Sequence, residues 1–148
     1  MNQPLEQLKL ENQLCFPLYA GAKEIVRLYK PYLDPLGLTY TQYIAMMLLW
    51  ECRSATLKEL GERLWLDSGT LTPLVKKLEE KGYVTRSRDP RDERSLVVTL
   101  TPAGEALQLQ AAHIPGAVGA CVPLSPEEGA QIYSILYKML FRLRRKEP

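Results

Sequence analysis

The stretch from Ser54 to Leu100 constrains the fold more than any other part of the chain. Leu57, Leu60 and Leu64 share one face of a short helix. After a turn, Leu71, Leu74, Val75 and Leu78 recur at the i, i+3, i+4, i+7 spacing of a second helix. Gly82 stops that helix as its C′ residue. Tyr83 to Arg88, the charged turn Asp89-Pro90-Arg91-Asp92-Glu93, and Leu96 to Leu100 then predict a β-hairpin with a basic tip. Two short helices followed by such a hairpin read as a winged helix-turn-helix. The expected class is therefore mainly α with a small β-hairpin wing, and the leading expectation is a DNA-binding role.

Composition neither announces nor forbids this. The 148 residues suffice for one sizeable core. The formal net charge is only +2, so any nucleic-acid signal must be local. No apolar run approaches the roughly 20 residues of a membrane span, so no membrane partner is expected. Residues 1–13 lack a basic segment followed by an apolar one, so no secretion signal is read and the cytoplasm is the expected location. Three cysteines far apart form neither a disulfide framework nor a zinc site. There is no glycine-rich phosphate loop and no HExxH or CxxC pattern, so neither a cofactor nor a metal is expected.

Along the chain, residues 1–11 read as a frayed start or an arm. A first helix is predicted from Leu14 to Tyr29, capped by Asn12 and ended by Pro31 and Pro35. Thr39 to Gln42 has capping-box spacing and opens a helix reaching Cys52. The start of the helix near Asp67 is ambiguous. Asp67 as cap would leave Pro73 inside, while Thr72 as cap would put Pro73 at N1. Thr101-Pro102 caps a helix of about residues 103–114, and the small-residue segment 115–123 should bend or move easily. Ser125-Pro126-Glu127-Glu128 caps a last helix striped by Ile132, Ile135, Leu136, Met139, Leu140 and Leu143. The first and last helices carry apolar faces that a winged-helix core does not need, and a second copy of the chain is the simplest cover. This divides the chain into a dimerisation region, 1–36 with 101–148, and a winged helix-turn-helix region, 37–100. The basic tail Arg142 to Lys146 is expected to complement the C-terminal dipole of its own helix.

A recognition helix needs small polar and basic side chains on its open face, to reach base edges and neutralise phosphates. Ser68, Thr70, Thr72, Lys76 and Lys77 lie opposite the leucine stripe. The hairpin adds Arg86, Arg88, Arg91 and Arg94. An arginine at a wing tip suits the negative potential of a narrow minor groove, and Asp89 or Asp92 is placed to brace it by a bidentate pair. The competing reading is a solvated face, because Glu79, Glu80, Asp89, Asp92 and Glu93 are interleaved.

Cys15 falls in the first turn of the predicted first helix, where the positive end of the macrodipole favours a thiolate. A thiolate attacks peroxide oxygen to give a sulfenic acid. Tyr19 shares its face at i+4, Tyr29 and Tyr40 supply phenol donors, and Leu14, Phe16 and Leu18 suit a greasy substrate. The plain alternative is an inert packing thiol. Cys52 follows an apolar run and reads as packing, and His113 as a helix-end residue.

The segment LDSGTLTPLVKKLEEKGYVTR followed by DPRDERS resembles the MarR family of dimeric winged-helix regulators over nearly the whole chain. The resemblance implies that Arg94 enters the minor groove with Asp92 in support. It also implies that the helix from Asp67 runs through Pro73. LENQLCFPLYA, Tyr19, Tyr29, Pro31 and LTYTQYIAMMLLWE are similar to the organic-hydroperoxide-sensing, OhrR-like branch. That likeness implies a homodimeric repressor on double-stranded operator DNA, with organic hydroperoxide as inducer and Cys15 as the sensing thiol. Tyr29 and Tyr40 of the partner would hold the thiolate, with Tyr19 nearby. The family contains types with and without a second, resolving cysteine. Cys121, in the small-residue segment, fits the first type and would capture the oxidised Cys15 of the other subunit. Two other readings stand beside this one: a regulator released by a small phenolic ligand, and a thiol peroxidase, which would have no use for a wing.

Overall fold

The structure is a computed structural model in which residues 5–145 are described. The first four residues of the expected arm and Lys146 of the basic tail lie outside them. Seven helices and three strands follow in order: α1 (Cys15–Leu33), α2 (Tyr40–Cys52), β1 (Ser54–Thr56), α3 (Leu57–Leu64), α4 (Ser68–Glu80), β2 (Val84–Asp89), β3 (Asp92–Leu100), α5 (Pro102–Ala111), α6 (Ile114–Gly119) and α7 (Pro126–Arg144). The architecture is the mainly helical winged helix-turn-helix expected.

Residues 5–13 are not frayed. They form two 3₁₀ turns, tied down where Asn12 Nδ2 donates to the Glu6 carbonyl at 2.7 Å and Gln13 Nε2 to those of Gln7 and Lys9 at 2.9 Å. Asn12 is therefore no cap; α1 begins at Cys15, with Leu14 in the cap position and no side-chain cap. Pro17 explains the displacement. A helix capped by Asn12 would need the missing Pro17 N–H to bond the Gln13 carbonyl. A start at Cys15 puts Pro17 at N3, where no helical bond is lost.

Pro31 does not end the helix, but Pro35 does: it has no N–H to continue the ladder after the Asp34 N–H bonds the Lys30 carbonyl. Pro31 lies inside α1, which runs on to the buried Leu33. Pro35 opens a 3₁₀ turn, and the chain reverses at Gly37, whose φ of 66° suits a residue without Cβ. Lys81 Nζ donates to the Gly37 carbonyl, pinning this turn to the end of α4.

The capping boxes expected at Thr39 and Ser125 are both formed in full, and a third, Thr56–Glu59, opens α3. Asp67 caps α4 through the Thr70 N–H at 2.7 Å, with Pro73 inside the helix, as the family resemblance implied. The hairpin differs from expectation in its tip. The turn is only Pro90-Arg91, because Asp92 already pairs with Asp89 and β3 starts there. The register shifts between Arg88 and Asp89, a local bulge at the tip. β1 pairs with β3, giving a three-stranded antiparallel sheet in the order β1-β3-β2.

One core draws on nearly every element: Leu33, Met46, Leu49, Leu60, Leu71, Val75, Leu78, Val84, Val98 and Leu107 among others. The segment 115–123 contributes to it as well. Its first half is α6, whose Ile114 and Val118 stack at i, i+4 and are fully buried, so this part is a packed helix and not a pliant link. Gly104 lets α5 close onto the hairpin. A Cβ there would lie 2.2 Å from the Tyr83 carbonyl oxygen, and its own carbonyl accepts the Trp50 indole N–H at 2.9 Å.

α7 stands apart from this core. None of its residues is buried, and Ile132, Tyr133, Ile135, Tyr137, Phe141 and Leu143 are exposed. The outer half of α1 is similar, with Leu14, Phe16, Leu18 and Tyr19 open.

Candidate DNA interface and thiol site

α4 separates its faces cleanly. Leu71, Leu74, Val75 and Leu78 enter the core, while Ser68, Thr70, Thr72, Lys76 and Lys77 are all exposed. Ser68, Thr72 and Lys76 follow one another at i, i+4, i+8 and form a ridge along the open side. The Asp67 carboxyl is held below the usual range, first by the backbone N–H of Thr70. It therefore stays charged as a cap at the positive end of α4.

The hairpin arginines do not share one environment. Arg86 is half-buried and tied to α4: its backbone N–H reaches Glu79 Oε2 at 2.7 Å, and its Nε and Nη2 reach Oε1 at 3.1 Å. Its charge is thus engaged at the base of the wing. Arg88 Nη1 donates to the Glu93 carbonyl at 2.7 Å, across the two strands. The side chain of Arg94 is exposed and lines a groove with Ser68, Leu71 and Thr72, so wing and recognition helix do converge. The bidentate brace expected from Asp89 or Asp92 is not what the carboxylates do. Asp92 Oδ1 accepts the backbone N–H of Arg94 at 3.0 Å, and Asp89 Oδ1 that of Arg91 at 2.9 Å. Both therefore shape the turn and leave the guanidinium of Arg94 free of a carboxylate among the described residues.

Cys15 is the first residue of α1 and is exposed. Tyr19, one turn on, is exposed, with Lys23 Nζ 5.2 Å above its ring. The other tyrosines are elsewhere. Tyr29 packs against Tyr40 at 4.9 Å between ring centroids and Tyr43 at 5.7 Å. Burial raises the pKa of Tyr40 and Tyr43, and neighbouring phenols add to it, so these hydroxyls stay protonated donors. Fourteen residues of one helix separate Cys15 from Tyr29, about 21 Å along the axis. No single chain of this shape joins that thiol to those phenols.

Cys121 is exposed just past α6, and its thiol donates to the Ala117 carbonyl at 3.4 Å. It lies beside Tyr32, a phenol that sequence reasoning missed. The Cys121 thiol beside it is the leading reason the Tyr32 pKa is raised. The signal was faint: Tyr32 lies three residues beyond Tyr29, and its ring meets that of His113 edge-on at 6.2 Å. Cys121 also borders an apolar groove with Leu18, Ile25, Leu28, Ile132 and Leu136. Cys52 packs against the core, as expected.

A family described as transcriptional regulator SarA/Rot matches residues 27–108. The chain is 47% identical to the organic hydroperoxide resistance transcriptional regulator of Bacillus subtilis, over 99% of both chains. Among solved structures it is similar to reduced AbfR bound to DNA, with a TM-score of 0.78 and 35% identity over 95% of this chain and 96% of that one. The disulfide form of AbfR matches with a TM-score of 0.65 and 38% identity, covering 93% and 94%. Mutant MarR from E. coli complexed with operator DNA matches with a TM-score of 0.81 and 28% identity, over 93% and 99%. No helix among the described residues is long and apolar enough to cross a membrane.

Proposed function

The chain belongs to the MarR family of winged-helix transcriptional regulators, in its organic-hydroperoxide-resistance branch, and we propose that it is a homodimeric repressor released from operator DNA when Cys15 is oxidised. The observation that carries this reading is the position of Cys15. It is an exposed thiol at the start of a helix, set among exposed Leu14, Phe16, Leu18 and Tyr19. It lies about 21 Å along that helix from the half-buried phenol pair Tyr29 and Tyr40. A second copy supplies both missing parts at once. It covers the apolar faces of α1 and α7, and it brings the partner subunit's Tyr29 and Tyr40 to the thiol as hydrogen-bond donors.

In the reduced dimer, residues 1–36 and 101–148 hold the two copies together. Residues 37–100 of each present α4 to a major groove. Ser68, Thr70 and Thr72 face base edges, Lys76 and Lys77 face phosphates, and Arg94 enters the minor groove. Asp92 fixes the backbone at Arg94. Arg88 braces the wing, and Arg86 sets its angle through Glu79. The likeness to a DNA-bound reduced relative supports reading this conformation as the binding one.

Cys15 sulfur attacks the distal oxygen of an organic hydroperoxide. The O–O bond breaks, a sulfenic acid forms on Cys15, and the alcohol leaves after taking one proton. The thiol of the partner subunit's Cys121 then attacks the sulfenic sulfur, forming a disulfide and releasing water. Within one chain the two are separate exposed thiols, Cys15 as the first residue of α1 and Cys121 just past α6, and the closure proposed is between subunits. The disulfide form solved for AbfR supports such chemistry in a relative. Pulling the Cys121 loop toward the other subunit moves α6 and α7 and changes the spacing of the two recognition helices. Non-reducing electrophoresis after brief cumene hydroperoxide treatment tests the resolution step. A band at dimer mass that Cys121→Ser and Cys15→Ser each abolish is expected; a dimer band that survives Cys121→Ser rejects Cys121 as the resolving thiol.

A further inference from the structure

α7 starts close to Cys121 and ends on the DNA-reading unit. At its first turn, Ser125 and Glu128 close a capping box, four residues after Cys121. At its last turn, the Arg144 guanidinium lies over the Trp65 ring, 3.8 Å from the centroid, and Nη2 donates to the Glu62 carbonyl. These are the polar and cation–π contacts that α7 side chains make to another element among the described residues, and no α7 residue belongs to the core. The arginine expected to serve its own helix end serves that of α3.

The receiving end is well chosen. Glu62 is one of the last four carbonyls of α3, which have no helical partner, at the negative end of that short dipole. Trp65 ends α3 in the left-handed conformation at φ 57°, two residues before Asp67 caps α4. Arg144 also borders the groove that holds Ser68, Thr72 and Arg94. We propose that Arg144 is a positioning residue for the DNA-reading turn: it makes α7 a rod that carries a displacement of the Cys121 loop to the start of the recognition helix. A helix of 19 residues spans about 28 Å, enough to join the two without an intermediate. This inference rests on the DNA-reading role proposed above.

The test uses the full-length protein, Arg144→Ala and Arg144→Lys. The first arm is acrylamide quenching of tryptophan emission. The second is binding to three duplexes: a pseudo-palindrome selected by the wild type from a random pool, the same duplex with one base pair added at its centre, and a single half-site. Arg144→Ala should quench more readily at unchanged helicity. Its preference for the parent duplex over the lengthened one should fall about five-fold, the loss expected for one cation–π contact. Half-site affinity should not change. Lysine keeps the charge but not the flat stack, so Arg144→Lys should fall between. Unchanged quenching in Arg144→Ala, or spacing discrimination equal to wild type, overturns the proposal. A uniform loss on all three duplexes also overturns it, because a merely structural role would give that. If the wild type selects no duplex, the proposed function fails and this inference with it. If it selects and discriminates but the variant does the same, this inference fails alone.

Discussion

The carboxylate of Glu79, in the last turn of the recognition helix, receives both the backbone N–H and the guanidinium of Arg86, the third residue of the wing's first strand, at 2.7 and 3.1 Å. Wing and recognition helix are therefore joined by a half-buried ion pair as well as by sheet and core. The pair leaves Arg86 little freedom to reach DNA and makes it the hinge pin of the wing.

The bond to the Arg86 side chain, with that to its backbone N–H next, holds the Glu79 carboxyl below the usual glutamate range. A depressed folded pKa contributes stability above the unfolded pKa, and that contribution is lost as pH falls through the folded value. Glu79→Gln removes it at every pH. The melting-temperature gap between wild type and Glu79→Gln should therefore be widest near neutrality and close as pH drops below about 4. A gap that stays constant from pH 7 to pH 3.5 in thermal scans contradicts the assignment.

Gly104 is expected to tolerate no side chain. The Cβ of an alanine would meet the Tyr83 carbonyl at 2.2 Å and a Leu100 methyl at 2.9 Å, and backbone cannot step aside cheaply. Gly104→Ala should lose about 1–3 kcal/mol in urea unfolding through overpacking. An unfolding midpoint equal to wild type would mean that α5 does not press on the hairpin as closely as described.

Arg94 points from the wing into the groove beside Ser68 and Thr72 with no carboxylate partner among the described residues. Arg94→Ala should weaken operator binding by about 1–3 kcal/mol and flatten the salt dependence by about one counterion. Equal affinity and equal salt slope in a titration would remove Arg94 from the interface.

How much of this was legible in the sequence depended on whether the signal was local. Thr39, Ser125 and Thr101 announced their helices because a cap needs only four consecutive residues, and all three cap as read. The stripe Leu71, Leu74, Val75 and Leu78 exposed its own polar back face by geometry alone. What stayed hidden depended on distant partners. Ser54–Thr56 is too short to alternate and is a strand only because β3 offers an edge. The glycines and prolines of 115–123 read as pliant, yet Ile114 and Val118 fold their part into a helix once α1 is there to receive it. Pro17 moved the start of α1 by a rule visible in the sequence but set against a more inviting cap at Asn12. Arg86 looked like another free cation until Glu79 appeared seven residues back, across a turn. The Tyr32–Cys121 and Arg144–Trp65 contacts join segments about 80 residues or more apart and carry no periodic mark.

The sensing account depends on one sulfur, and one titration tests it most directly. Operator-bound wild type and Cys15→Ser are each mixed with rising cumene hydroperoxide, and the bound fraction is read by gel shift. The account predicts equal binding before oxidant, full release of the wild type near one equivalent per subunit, and no release of Cys15→Ser at any equivalent excess. Release of Cys15→Ser over the same range as wild type would contradict it.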